Sequence, residues 1–265
     1  MELPIYQVDA FASKVFAGNP AAVMPLQSWL SDSALQAIAM ENNLSETAFV
    51  VRCDQGYELR WFTPAVEVNL CGHATLAAAH TLFEHMGEAG DDVRFQTRSG
   101  ELRVRREGGL LTLDFPQTPL VPTEVDLAIC KALGATASEA LIPRDAPQSV
   151  LYVYEFEADV AALQPNFAAL QAASAHCVIA TAPGDDCDFV SRFFGPQVGV
   201  DEDPVTGSAH CALVPYWAQR LNQRSMAARQ ISARGGELAC RLEGDRVFMT
   251  GSAVTFMQGR VVGEF

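Results

Sequence analysis

From Leu3 to Phe11 apolar and polar residues alternate, the period of a strand with one buried face. Gly18-Asn19-Pro20 then marks a turn, and Ala21 to Pro25 reads as a short apolar strand. Ser31 or Ser33 is placed to cap a helix over Leu35, Ile38 and Ala39. Thr47 to Arg52 and Glu58 to Phe62 form a strand pair around Gln55-Gly56. The stretch Ala74 to Phe83 is apolar on nearly every side, the pattern of a helix buried all round. Strands Val93 to Gln96, Glu101 to Arg105 and Leu110 to Phe115 follow, with Gly108-Gly109 as a hairpin turn. A similar order then returns. Asp126 to Leu133 and Phe167 to Ala173 read as helices, and Val150 to Glu155, Cys177 to Ala180 and Phe189 to Phe194 as strands. An apolar helix from Ser208 to Leu221 and hairpin strands at Glu237 to Arg241 and Arg246 to Met249 complete it.

The recurrence extends to residue identities. Arg60-Trp-Phe-Thr-Pro-Ala-Val-Glu-Val-Asn69 returns as Arg192-Phe-Phe-Gly-Pro-Gln-Val-Gly-Val-Asp201, with five of ten positions identical. Arg98-Ser-Gly-Glu-Leu-Arg-Val-Arg-Arg-Glu-Gly108 returns as Arg234-Gly-Gly-Glu-Leu-Ala-Cys-Arg-Leu-Glu-Gly244, with seven identities in eleven. Chance would give about one match or fewer in each window. Offsets near half the chain length predict two copies of one domain with a cleft between them. Three prolines between Pro116 and Pro122 place the boundary, giving domains 1–116 and 117–265, with the last strand able to cross back to the first. The predicted class is α+β: two pseudo-symmetric domains, each a barrel-like sheet wrapped around its own central helix.

Composition narrows the partners. A net charge of −14 argues against nucleic acid or an anionic membrane surface, both of which need a basic face. It leaves room for a small anion at a local site. The seven cysteines, at 53, 71, 130, 177, 187, 211 and 240, contain no Cys-x-x-Cys pair, so neither a zinc site nor a disulfide framework is predicted. Reduced thiols fit a cytoplasmic protein. No run of eighteen apolar residues is present to span a bilayer.

Both central helices open on the same device, Leu70-Cys71-Gly72-His73-Ala74 and Val205-Thr206-Gly207-Ser208-Ala209. A glycine before a helix leaves outward backbone N–H groups at the positive end of the dipole. Two such starts at Gly72 and Gly207 could hold a carboxylate between them; alternatively, the glycines only permit tight turns. His73, opposed by Ser208 in the other copy, is discouraged from becoming cationic at a helix start, which suits a proton carrier, a neutral donor or a satisfied structural histidine. Asp201-Glu202-Asp203-Pro204 reads as a three-residue insertion relative to the first copy, either a solvated acidic loop or a source of one functional acid, Asp203. Glu46 ends an extra loop just before apolar Ala48-Phe49-Val50, where a carboxyl group can serve as acid or base.

Gly18-Asn-Pro-Ala-Ala-Val23, Glu41-Asn-Asn-Leu-Ser-Glu-Thr-Ala-Phe-Val50, Cys71-Gly-His-Ala-Thr75 and Asp203-Pro-Val-Thr-Gly-Ser-Ala-His210 together resemble the PhzF family. These phenazine-biosynthesis-like isomerases are related to diaminopimelate epimerase and proline racemase. The resemblance runs over almost the whole chain in order. It implies an active site between two like domains, with the general acid/base glutamate at Glu46 and the active-site histidine, aspartate and serine at His73, Asp203 and Ser208. Asn19 joins Gly72 and Gly207 as a substrate-binding position. The resemblance further implies no cofactor, no metal, a small carboxylate substrate and a homodimer. Related racemases use two opposed thiols. Here Cys71 is matched by Thr206, so proton relocation by one base on one face is expected, with an epimerase using Cys71 and a non-catalytic binding protein of the same fold as alternatives.

Overall fold

The computed structural model describes residues 2–265. One unit runs to Asp114 and adds Met249–Phe265 from the far end of the chain; the other is Phe115–Phe248.

In the first unit the strands are β1 (Glu2–Ala10), β2 (Asn19–Leu26), β3 (Glu46–Cys53), β4 (Gly56–Phe62), β5 (Glu67–Val68), β6 (Asp92–Thr97), β7 (Gly100–Glu107) and β8 (Leu110–Pro116). Antiparallel β1/β2, β3/β4 and β6/β7 pairs alternate with parallel β2/β3 and β4/β6 pairs. Helix α1 (Asp32–Asn42) is capped by Ser31, whose hydroxyl accepts from Ala34 N at 3.2 Å. Helix α2 (Gly72–His85) packs against β1, β2 and β3 and also against β7, so the sheet curls around it. Its residues from Gly72 to Ala79 are all buried, as an all-round apolar sequence requires.

The second unit repeats this succession. It holds β9 (Leu120–Thr123), α3 (Leu127–Leu133), β10 (Glu139–Pro143), β11 (Ser149–Val153), α4 (Glu157–Ala161), α5 (Phe167–Gln171), β12 (Cys177–Pro183), β13 (Phe189–Gly195), β14 (Val200–Asp203), α6 (Gly207–Leu221), β15 (Ser225–Gln230), β16 (Gly236–Glu243) and β17 (Arg246–Gly251). Antiparallel β10/β11, β12/β13 and β15/β16 pairs alternate with parallel β11/β12 and β13/β15 pairs. The last strand, β18 (Ala253–Val262), belongs to the first unit and pairs antiparallel with β1. This is an α+β fold of two like units, each a sheet around a helix.

Two local expectations change. Asn19 and Pro20 are not in a turn but open β2, facing Ala10 and Asp9 across the β1 ladder. The β3 ladder begins only at Ala21, so proline's missing N–H breaks no bond there. The proline-rich boundary likewise contains a strand, β9. Pro122 is tolerated because β9 pairs only with β10 among the described ladders. No helix among the described residues is long and apolar enough to cross a membrane.

Candidate functional site

Three elements of the first unit bring one polar cluster together. The parallel β2/β3 ladder sets Glu46 opposite Ala21, two residues beyond Asn19. The start of α2 supplies Cys71 and His73, and no side chain caps it, so its first N–H groups are left to other partners. His73 is 3% exposed. Its Nδ1 lies 3.1 Å from Asn19 Nδ2 and 3.5 Å from Cys71 Sγ, and its Nε2 lies 3.3 Å from Glu46 Oε2. Burial holds the imidazolium pKa of His73 down to about 3, so the ring is neutral near pH 7. The Glu46 side chain, 15% exposed, opens β3 at the edge of this buried cluster. The structure therefore brings together Glu46, His73 and Asn19, positions far apart in sequence.

Glu46, Cys71 and His73 have the chemistry of metal ligands, with donor atoms within 4.8 Å of one another. Yet Cys71 and Glu46 approach opposite nitrogens of the one imidazole.

In the second unit Asp203 ends β14 and is buried. The Thr206 hydroxyl donates to Asp203 Oδ2 at 2.5 Å. Gln230, buried at the end of β15, accepts from Thr206 N at 2.8 Å and donates to Asp203 O at 2.7 Å and to Thr206 Oγ1 at 3.1 Å. This amide welds the Asp203–Thr206 turn to the sheet, and no sequence pattern singles it out. The α6 start also lacks a side-chain cap, and Ser208 is exposed at its second position, the place His73 holds in α2.

The acidic stretch is neither a solvated loop nor an insertion. Arg60 grips Glu67 through Nε and Nη2, each at 2.7 Å; Arg192 grips Glu202 in the same way, at 2.7 and 2.9 Å. Phe62 faces Glu67 in the β4/β5 ladder, and Phe194 faces Glu202 in β13/β14. Glu202 thus corresponds to Glu67, and Asp203 to Val68. The three extra residues lie earlier, around the single helical turn Pro196–Val198. The recurring Val-x-Val suggests the other register only by coincidence. Asp203 stands where the first copy has an apolar strand residue.

Burial of neutral histidines has a measurable cost in acid. His210 is fully buried and its pKa is held down to about 4, mainly by desolvation; its Nδ1–H donates to Thr206 O at 2.8 Å. Unfolded, His73 and His210 titrate near 6.5. Below that pH the unfolded chain binds more protons than the folded one, so stability is complete above about 6.5 and falls toward pH 4. Each histidine is expected to shift the unfolding equilibrium up to about tenfold per pH unit in that window. Urea unfolding from pH 7 to 4.5 checks this, with His210→Gln expected to give a shallower decline. An identical profile for the variant would count against it.

The family model described as phenazine biosynthesis-like protein matches residues 8–259. An isomerase of Pseudomonas aeruginosa, described only as an uncharacterised isomerase, is 55% identical over 263 residues, covering 98% of this chain and 99% of its own. The crystal structure of a phenazine biosynthesis protein of the PhzF family from Enterococcus faecalis superposes with a TM-score of 0.94 at 45% identity, covering 99% of this chain and all of that one. A hydroxyproline epimerase from Agrobacterium vitis shares the fold, with a TM-score of 0.63 at 11% identity over 98% of this chain and 92% of that one.

Proposed function

Since the chain belongs to the phenazine biosynthesis-like (PhzF) family of isomerases, we propose that it relocates a proton within a small carboxylate-bearing metabolite, using Glu46 as the only acid/base and no cofactor. The observation that carries this reading is the carboxyl group of Glu46 set 3.3 Å from a buried, neutral His73. A mostly buried carboxylate beside a neutral imidazole can take a proton from carbon and return it to another atom of the same substrate. The side chains of His73, Asp203 and Ser208 would hold the substrate and steady developing charge, with the uncapped helix starts at Gly72 and Gly207 binding its carboxylate.

Copy two supports one base rather than two. Thr206 stands where copy one has Cys71, and its hydroxyl is committed to Asp203. A thiol pair flanking the substrate carbon therefore lacks its second member. The test is turnover of a panel of small unsaturated or carbonyl-containing carboxylates in D2O, read by NMR. Deuterium on a carbon of the recovered product is expected, with Cys71→Ala retaining turnover. Loss of activity in Cys71→Ala would favour an epimerase built on that thiol. Saturable binding without turnover across the panel would favour a binding protein.

A further inference from the structure

Asn19, His73 and Glu46 constrain one another's hydrogens. A neutral imidazole carries a single ring hydrogen, on one nitrogen only. The amide nitrogen of Asn19 can only donate and lies 3.1 Å from Nδ1, so the hydrogen of the neutral ring sits on Nε2, the nitrogen 3.3 Å from Glu46 Oε2. Nδ1 is then an acceptor. Its donor is the Asn19 amide at 3.1 Å, with the Cys71 thiol a weaker one at 3.5 Å. The tautomer of a histidine is set by the bond its other nitrogen makes. Nε2 and Glu46 Oε2 are close enough for their electrostatics to couple, though not in hydrogen-bond geometry.

We propose that Asn19 is a positioning residue that fixes His73 as the Nε2–H tautomer, so that the ring nitrogen nearest Glu46 carries an N–H rather than a lone pair and the carboxylate stays able to exchange a proton with substrate. Asn19 is fully buried, so its side chain has no surface to offer a substrate and works through His73. The opposite tautomer would turn an imidazole lone pair toward a carboxylate. That repulsion would displace the ring or force a proton onto Glu46, leaving it unable to act as a base.

This inference rests on Glu46 as the base, but its test does not. The free protein is labelled with 15N-histidine, and the ring nitrogens are read by NMR at pH 7, with His73 assigned by the signals lost in His73→Gln. Wild type and Asn19→Ser, whose hydroxyl can still donate, are expected to show hydrogen on Nε2 alone. Asn19→Asp, whose carboxylate can only accept, is expected to gain hydrogen at Nδ1, by tautomer change or by protonation of the ring. If Asn19→Asp does not fold, Asn19→Ala serves instead, and a second His73 tautomer is expected to appear. A wild-type ring protonated at Nδ1 would overturn the proposal while leaving Glu46 available as the base. Variants that fold and keep a single Nε2–H ring would overturn the part given to Asn19. Failure of proton transfer from Glu46, by contrast, would leave these spectra unchanged.

Discussion

Glu46→Gln is expected to lower turnover about 10²- to 10⁴-fold, the range a positioned acid/base group supplies, and to suppress deuterium uptake from solvent in proportion. The substitution is nearly isosteric and leaves the Asn19–His73 bond in place, so the buried cluster keeps its shape while losing the carboxyl group. An unchanged far-UV spectrum and urea midpoint would show that the loss is chemical. Binding should survive, because the groups proposed to hold substrate at the helix starts and at Asp203 are untouched. Undiminished turnover in Glu46→Gln would remove the residue from the mechanism and with it the one-base reading. Turnover that persists with deuterium uptake lost would instead show that the product forms without exchange through this carboxylate.

Much of the fold is legible in the sequence because it rests on local signals. Ser31 caps α1, Gly108-Gly109 turns the β7–β8 hairpin, and α2 is apolar on every face, so neighbours in sequence decide each of them. Strands β10, β14, β15 and β18 carry no such pattern. β14 reads Val-Asp-Glu-Asp, which has no strand propensity; it is a strand because β13 pairs with it and Arg192 holds Glu202. The same logic governs the site. Glu46 and His73 are readable as candidates from their places before an apolar strand and at a helix start. Their contact is not, since it depends on the parallel β2/β3 ladder and on α2 lying within the sheet. Gln230 leaves no trace in sequence, because an amide serving a turn 24 residues away has no periodicity to reveal it. The duplication cuts both ways. It leads to the helix starts, yet its repeated Val-x-Val puts Asp203 in an insertion, and only the paired arginine–glutamate contacts give the true register.

The second large effect is structural and lies one residue before Asn19. Gly18 adopts φ +65°, and a Cβ there would stand 2.1 Å from Ala10 O and 2.8 Å from Ala12 Cβ. Gly18→Ala therefore carries two costs. The left-handed backbone costs about 1–2 kcal/mol for a residue with a side chain, and forcing atoms into filled space adds about 1–3 kcal/mol. Gly87 separates the two: its φ is +67°, but a methyl group at that position would have nothing within 4 Å, so Gly87→Ala should carry the backbone cost alone. Urea midpoints of the two variants measure the difference, and equal losses would refute the steric part. The clash cannot be relieved by a side-chain rotation, because its main partner is the carbonyl of Ala10, the residue paired with Asn19 in the β1/β2 ladder. Relief must move the strand end that carries Asn19, and so the donor to His73 Nδ1. Gly18→Ala is thus expected to loosen the same imidazole that faces Glu46, so that at temperatures where it remains folded its turnover falls, whereas Gly87→Ala at matched folded fraction keeps the wild-type rate.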